Sequence, residues 1–236
     1  MTSPQRFPDE RDEPEVRPDP STVDHVVMLV RGADEGRLEA WLESQLTAGL
    51  TAETICLQVL TPVADRLGEL WETDDCNFLE VTLALGRLQR AVRNLSRLLL
   101  APGRPLTGTT PAVLLTCLPG EQHTLGLFMV AEFLVKDGFE VTIGQPLHAV
   151  DIGRTVEQGW FDVVGFSVSS ELQLPELRRE ITRVRRSSRN REVEVVLGGA
   201  LFRRDPALAA TLDANRWAPD ARAASDLLRS LVTSTH

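Results

Sequence analysis

The chain has 236 residues, 42% hydrophobic and 25% charged, which is the composition of an ordinary globular protein long enough to bury a real core. A formal charge of −9 excludes a generic nucleic-acid coat, because binding phosphates needs a basic face, and leaves a basic protein partner open. Three cysteines, Cys56, Cys76 and Cys117, are odd in number and lack metal-ligand spacing, so the sequence predicts unpaired thiols in a reducing compartment. With neither a basic-then-apolar leader nor an apolar run of spanning length, the expectation is a cytoplasmic protein without membrane contact.

Residues 1–24 are dense in Pro, Asp and Glu and nearly free of large apolar side chains. Such a segment buries too little surface to offset its ordering entropy, which predicts a disordered acidic tail, either a solvated leader or a partner-binding arm. Residues 25–106 read as a helical bundle. One helix carries Leu38, Trp41, Leu42 and Leu46 and ends at Gly49. Thr51 then suits an N-cap for a helix bearing Ile55, Val59, Val63, Leu67 and Leu70, which Pro62 either kinks or divides. Trp71 closes it before the polar turn 72–75, and a helix from Phe78 to Leu100 comes next with Val81, Leu85, Leu88, Val92 and Leu95 as its stripe. Residues 101–105 (APGRP) are a linker by composition.

From residue 107 to 236 the rhythm changes to alternating strands and helices. Short aliphatic runs at 112–117, 139–143, 162–167 and 193–197, with a fifth strand near Arg216-Trp217, suit strands buried on both faces. Helical patterns lie between them, at 124–137, 150–158, from Pro175, at 206–212 and at 221–231. The fold class is therefore α/β: a helical bundle followed by a flavodoxin-like, doubly wound, five-stranded parallel sheet. The arginine-rich stretch 178–191 reads mainly as the solvated face of a helix, with docking to an acidic surface as the alternative.

Parallel strands all end on one side, so three loops should share a rim: Gly120-Glu121-Gln122-His123, Gly165-Phe166-Ser167-Val168-Ser169 and Gly198-Gly199-Ala200. Their glycines allow close backbone approach by a large flat or phosphate-bearing ligand. No GxGxxG, P-loop or CxxC is present, so a dinucleotide, a nucleoside triphosphate or zinc has no support. Ser167, His123 and Glu121 could suggest a hydrolase triad, but the GxSxG elbow is missing.

These residues match a family. Glu121-Gln122-His123-Thr124-Leu125-Gly126 resembles the D/E-x-H-x-x-G signature of cobalamin-binding domains. Ser167-Val168-Ser169 stands where that family has S-x-L, and Gly198-Gly199 where it has GG, at the family's spacing. Upstream, Gly68-Glu69-Leu70-Trp71 resembles the G-x-x-W motif of the bundle that caps the cofactor. The resemblance implies His123 as the lower cobalt ligand and Glu121 as acceptor for its second ring N–H, backed by a hydroxyl from Ser167 or Ser169. It implies space for the dimethylbenzimidazole tail at Gly198-Gly199 and a Trp71 plate over the corrin.

The departures from the pattern are informative. Glu121 replaces Asp, Ser169 replaces the Leu of S-x-L, and Leu127 stands where enzyme-associated carriers have Lys. Light-sensing repressors of CarH type have a Glu-His pair ten and eleven residues after the Trp; here those positions are Val81 and Thr82, with Glu80 one place early. Of the other histidines, His148 lies in a loop, His236 at the terminus, and His25 is the candidate upper ligand. By pattern the chain most resembles AerR/PpaA-type cobalamin-binding antirepressors of photosynthetic bacteria, including their lack of a DNA-binding domain. That resemblance implies no enzymatic activity and no direct nucleic-acid contact. It implies a regulator that binds adenosyl- or hydroxocobalamin, responds to light, and acts on a repressor of the CrtJ/PpsR kind. The alternatives are a corrinoid-carrier subunit of a methyltransferase and a haem or tetrapyrrole sensor of the same fold.

Overall fold

The computed structural model describes residues 19, 21–99, 110–121, 124–144 and 152–234. The first helix, α1 (Ser21–Arg31), starts inside the stretch expected to be tail. Its start is fixed locally, because the Asp19 carboxylate accepts from the Ser21 N–H at 2.8 Å and the Asp19 carbonyl from the Thr22 N–H at 2.9 Å. Val26, Val27, Leu29 and Val30 then bury one face of it. Helix α2 (Glu35–Thr47) is capped by Asp34, which accepts from Gly36 N, and it stops at Gly49, whose φ is +97°.

Thr51 caps the next segment by accepting from Thr54 N at 3.0 Å. From there the helix is widened rather than divided: α3 (Ala52–Thr54) runs into a π-helical stretch at Ile55–Leu60 and on into α4 (Thr61–Glu72). Pro62 explains the widening. It has no N–H to continue the ladder, and the bond just before it runs from Thr61 N to the Cys56 carbonyl, five residues back. Helix α5 (Phe78–Leu99) opens on a reciprocal capping box, with Asn77 Oδ1 accepting from Glu80 N and Glu80 Oε2 from Asn77 N, each at 3.0 Å.

The second half is a five-stranded parallel sheet in the order β2-β1-β3-β4-β5, formed by Glu140–Ile143, Ala112–Cys117, Val163–Ser167, Glu194–Gly198 and Arg216–Trp217. Chain order jumps across β1 between β2 and β3, so the topological switch falls at β1/β3, where open α/β sheets form a crevice. Helices α7 (Ile152–Gln158) and α8 (Leu174–Ser187) cover one face through Val156, Leu177, Ile181 and Val184. Helices α6 (Leu125–Lys136) and α10 (Ala221–Ser234) cover the other through Leu127, Leu134 and Leu228. Most arginines of the 178–191 stretch are engaged within the domain: Arg178 donates to the Thr211 carbonyl at 2.6 Å, and Arg183 pairs with Glu180 at 2.7 Å.

The bundle docks on the α6/α10 side. Leu125, Met129 and Phe133 of α6 and Ala221 of α10 belong to the same apolar core as Val59, Leu67 and Leu88. Arg222 of α10 locks the joint. It bonds Glu53 of α3 through two nitrogens (one at 2.6 Å), reaches Asp137 at 3.4 Å, and lies 5.1 Å from the centre of the Phe133 ring.

Candidate cofactor-binding site

Register brings three strand ends level: Cys117 pairs with Ser167, and Ser167 with Gly198. Beyond Cys117 the chain turns at Gly120 (φ +83°) with Glu121 N bonded to the Leu118 carbonyl at 3.1 Å. This turn carries Glu121 inward, leaving it only 7% exposed. Its Oε2 accepts from the Ser169 N–H at 3.0 Å and from the Ser169 hydroxyl at 2.7 Å. Of the two serines the sequence leaves open, Ser169 holds the carboxylate. The two positions that depart from the family pattern thus meet, the longer acid reaching a hydroxyl two residues farther along the loop. Neighbouring Cys117 feels the charge: burial first, and Glu121 second, push its thiol up to about 11. Gln122 and His123 lie outside the described residues.

The other two loops are clamped together. Val168 N donates to the Gly198 carbonyl at 3.0 Å and Leu201 N to the Val168 carbonyl at 3.1 Å. Gly199, at φ +100°, passes so close that a Cβ there would lie 2.4 Å from the Val168 oxygen. After it comes a short helix not expected from the sequence, α9 (Ala200–Arg204), which ends in two working arginines. Arg204 donates to the Ser169 carbonyl at 2.7 Å, and Arg203 pairs with Asp65 of α4 at 2.8 Å. Gly165, by contrast, sits inside β3 where the space of a Cβ is taken by Leu115. Leu125 points into the bundle core, and Thr124 meets Gln89 of α5 at 3.5 Å.

That contact orients the roof. Phe78, Thr82 and Gln89 succeed one another at helical spacing along one strip of α5, roughly 16 Å from end to end at 1.5 Å per residue. One end touches the loop just after His123. At the other end the exposed Phe78 (65%) meets Trp71 (43% exposed) edge-on, with ring centres 6.2 Å apart. His25 is exposed on α1 and lies against Trp41 of α2 at 6.5 Å. Sequence reasoning missed Phe78, Gln89, Arg203 and Arg204 as site residues. The spacing of Phe78 and Gln89 on one helix could have found the first two, but nothing local marks the arginines.

A parallel sheet whose rim carries a buried carboxylate and two loops clamped together at Gly199, faced by a helical bundle, defines a ligand-binding α/β domain with a cap. Comparison with known proteins specifies the ligand class. The B12 binding domain family matches residues 111–224, and a second family of the same description matches residues 23–96. The chain is 31% identical over 166 residues to an uncharacterized 20.5 kDa protein in the bchF-crtJ intergenic region of Rhodobacter capsulatus, covering 70% of this chain and 85% of that protein. It is 33% identical over 157 residues to the HTH-type transcriptional repressor CarH of Myxococcus xanthus, covering 66% of this chain but only half of CarH. The fold is similar to that of the monomethylamine corrinoid protein of Methanosarcina barkeri, with a TM-score of 0.71 at 13% identity over 89% of this chain and 98% of that one. The chain belongs to the B12-binding domain family. Among the described residues no helix is long and apolar enough to cross a membrane.

Proposed function

We propose that the chain is a cobalamin-dependent, light-responsive regulator of transcription without turnover of its own, acting through a repressor of the CrtJ/PpsR kind. The observation that carries this reading is the buried Glu121 carboxylate, held by Ser169 two residues before His123. An imidazole that ligates a metal through one nitrogen needs an acceptor for its other N–H, which fixes tautomer and basicity. Glu121 supplies that acceptor, Ser169 fixes the carboxylate, and Arg204 fixes the Ser169 loop. A corrinoid fits these residues: Gly198 has no side chain to obstruct a nucleotide tail, Gly199 lets its loop close onto the Val168 backbone, and Trp71 and Phe78 present aromatic surface to a flat macrocycle. When bound, the cofactor supplies a cobalt centre with a light-sensitive upper bond.

Light can act on the protein only through a difference in how the two cofactor states favour arrangements of the bundle. The joints available for such a change are Arg203–Asp65, Arg222–Glu53 and Gln89–Thr124. The Rhodobacter relative, named for the bchF-crtJ region, supports a CrtJ-like partner, and CarH supports regulation of transcription. The test is a visible spectrum of the protein loaded with adenosyl- or hydroxocobalamin, recorded before and after illumination, with repressor binding measured on the same samples. The reading expects a light-dependent spectrum and a changed affinity. Methyl transfer from a donor protein would make the chain a corrinoid carrier instead, and a haem spectrum would overturn the cofactor.

A further inference from the structure

Between α2 and α5 lies an open groove of about 240 Å³, with Leu42, Leu46 and Leu95 on its floor. Leu98 stands at its edge, 59% exposed. It is nine residues beyond Gln89, half a turn around the helix at about 100° per residue, so the groove lies on the side of α5 opposite the Thr124 contact. One wall is acidic, with Glu39 and Glu43 of α2 exposed on it. The other belongs to α5, where Asn94, Leu95 and Leu98 line the groove and the exposed Arg97 comes next to Leu98. The helices run in the same direction, since Leu38 and Leu42 lie level with Ala91 and Leu42 and Leu46 level with Leu95 and Leu98.

This pattern is complementary to itself. A two-fold axis laid along the groove sets the acidic α2 of each copy over the basic α5 of the other and keeps every level in place. Glu43 then meets Arg97, a pair that occurs twice. Leu98 of each copy enters the hollow lined by Leu42, Leu46 and Leu95 of the other, so an exposed knob finds an unfilled hole. An axis laid across the groove would instead put α2 on α2 and α5 on α5, like charge on like. We propose that the α2–α5 groove is a self-association surface that takes a second copy of this chain about a two-fold axis parallel to the two helices. Such a contact does not depend on the cofactor.

Sedimentation equilibrium over a concentration series tests it on the full chain. The contact is small, so the dimer is expected to form with a Kd on the order of micromolar. Leu98→Glu should weaken it at least about tenfold. Glu43→Arg and Arg97→Glu should each weaken it about tenfold, because every reversal is felt at two symmetric places. Combining the two restores opposite charges and should bring the Kd back to within about threefold of wild type. All three side chains are exposed, so the variants should keep the wild-type circular dichroism and melting temperature. A chain that stays monomeric to about 100 μM overturns the proposal. So does a dimer indifferent to Leu98→Glu, or a charge swap that rescues nothing.

Discussion

Replacing Ser169 by alanine removes a hydroxyl that donates to the Glu121 carboxylate at 2.7 Å and leaves the Ser169 N–H, at 3.0 Å, in place. Glu121 is 7% exposed, so water cannot freely replace the lost donor. A hydrogen bond to a buried charge contributes about 1.5–3 kcal/mol, which sets the expected loss at about 2 kcal/mol. For a chain of this length that corresponds to a fall in Tm of about 4–8 °C. Ser167→Ala is the internal control. Ser167 ends β3 and makes no side-chain bond to Glu121 among the described contacts, so its substitution should stay within about 0.5 kcal/mol. Ser169→Thr keeps the hydroxyl and should recover most of the loss. Thermal and urea unfolding followed by circular dichroism read all three variants. Cobalamin titration should also show weaker binding for Ser169→Ala by about 10–100-fold, as for other outer-sphere supports of a metal ligand. If Ser167→Ala costs more than Ser169→Ala, or if both are silent, the account of the rim is wrong.

Other consequences can be checked on the same material. Gly199→Ala places a Cβ 2.4 Å from the Val168 oxygen at φ +100° and should cost at least about 3 kcal/mol or prevent folding, whereas a wild-type urea midpoint would contradict the tight approach. Gly126→Ala meets nothing within 4 Å inside α6 and should leave stability unchanged or raise it by up to about 1 kcal/mol. Arg222→Ala should destabilise by about 2–3 kcal/mol, since it strips a part-buried joint of Glu53, Asp137 and the Phe133 ring together. Asp65→Ala, which breaks an exposed pair, should cost under about 1 kcal/mol, and the reverse ranking would reassign the main joint. Burial holds the Cys56 and Cys117 thiols up at about 12 and about 11. The folded chain therefore keeps protons that the unfolded chain loses above its ordinary thiol value of 9.0. Their contribution is intact below that value and should fall by about 1.4 kcal/mol per pH unit per thiol above it. A flat profile from pH 9 to pH 11 would contradict the burial.

The strands and the rim could be read directly because their signals are local. The aliphatic runs of β1, β3 and β4 show their burial on both faces, and their ends at Cys117, Ser167 and Gly198 fall level in the sheet. Three features were hidden for different physical reasons. The start of α1 rests on a single carboxylate, Asp19, in a stretch whose composition argues for disorder. At Pro62 the pattern cannot tell a kink from a break; the backbone takes a third course, shifting to bonds five residues apart. The Arg203–Asp65 pair joins residues 138 apart in the chain, so no window of sequence contains it. Choosing between Ser167 and Ser169 likewise needed the turn after Gly120, which sets how far Glu121 reaches.

Electron paramagnetic resonance of the cobalamin-loaded protein, reduced to Co(II), tests the His123 ligand most directly, using protein labelled with nitrogen-15 only in histidine. If the His123 imidazole is the lower ligand, the nitrogen splitting of each cobalt line must change from a triplet to a doublet on labelling, and His123→Ala must abolish that change. A triplet that survives labelling would mean that the cofactor's own base holds the cobalt, and would contradict the account.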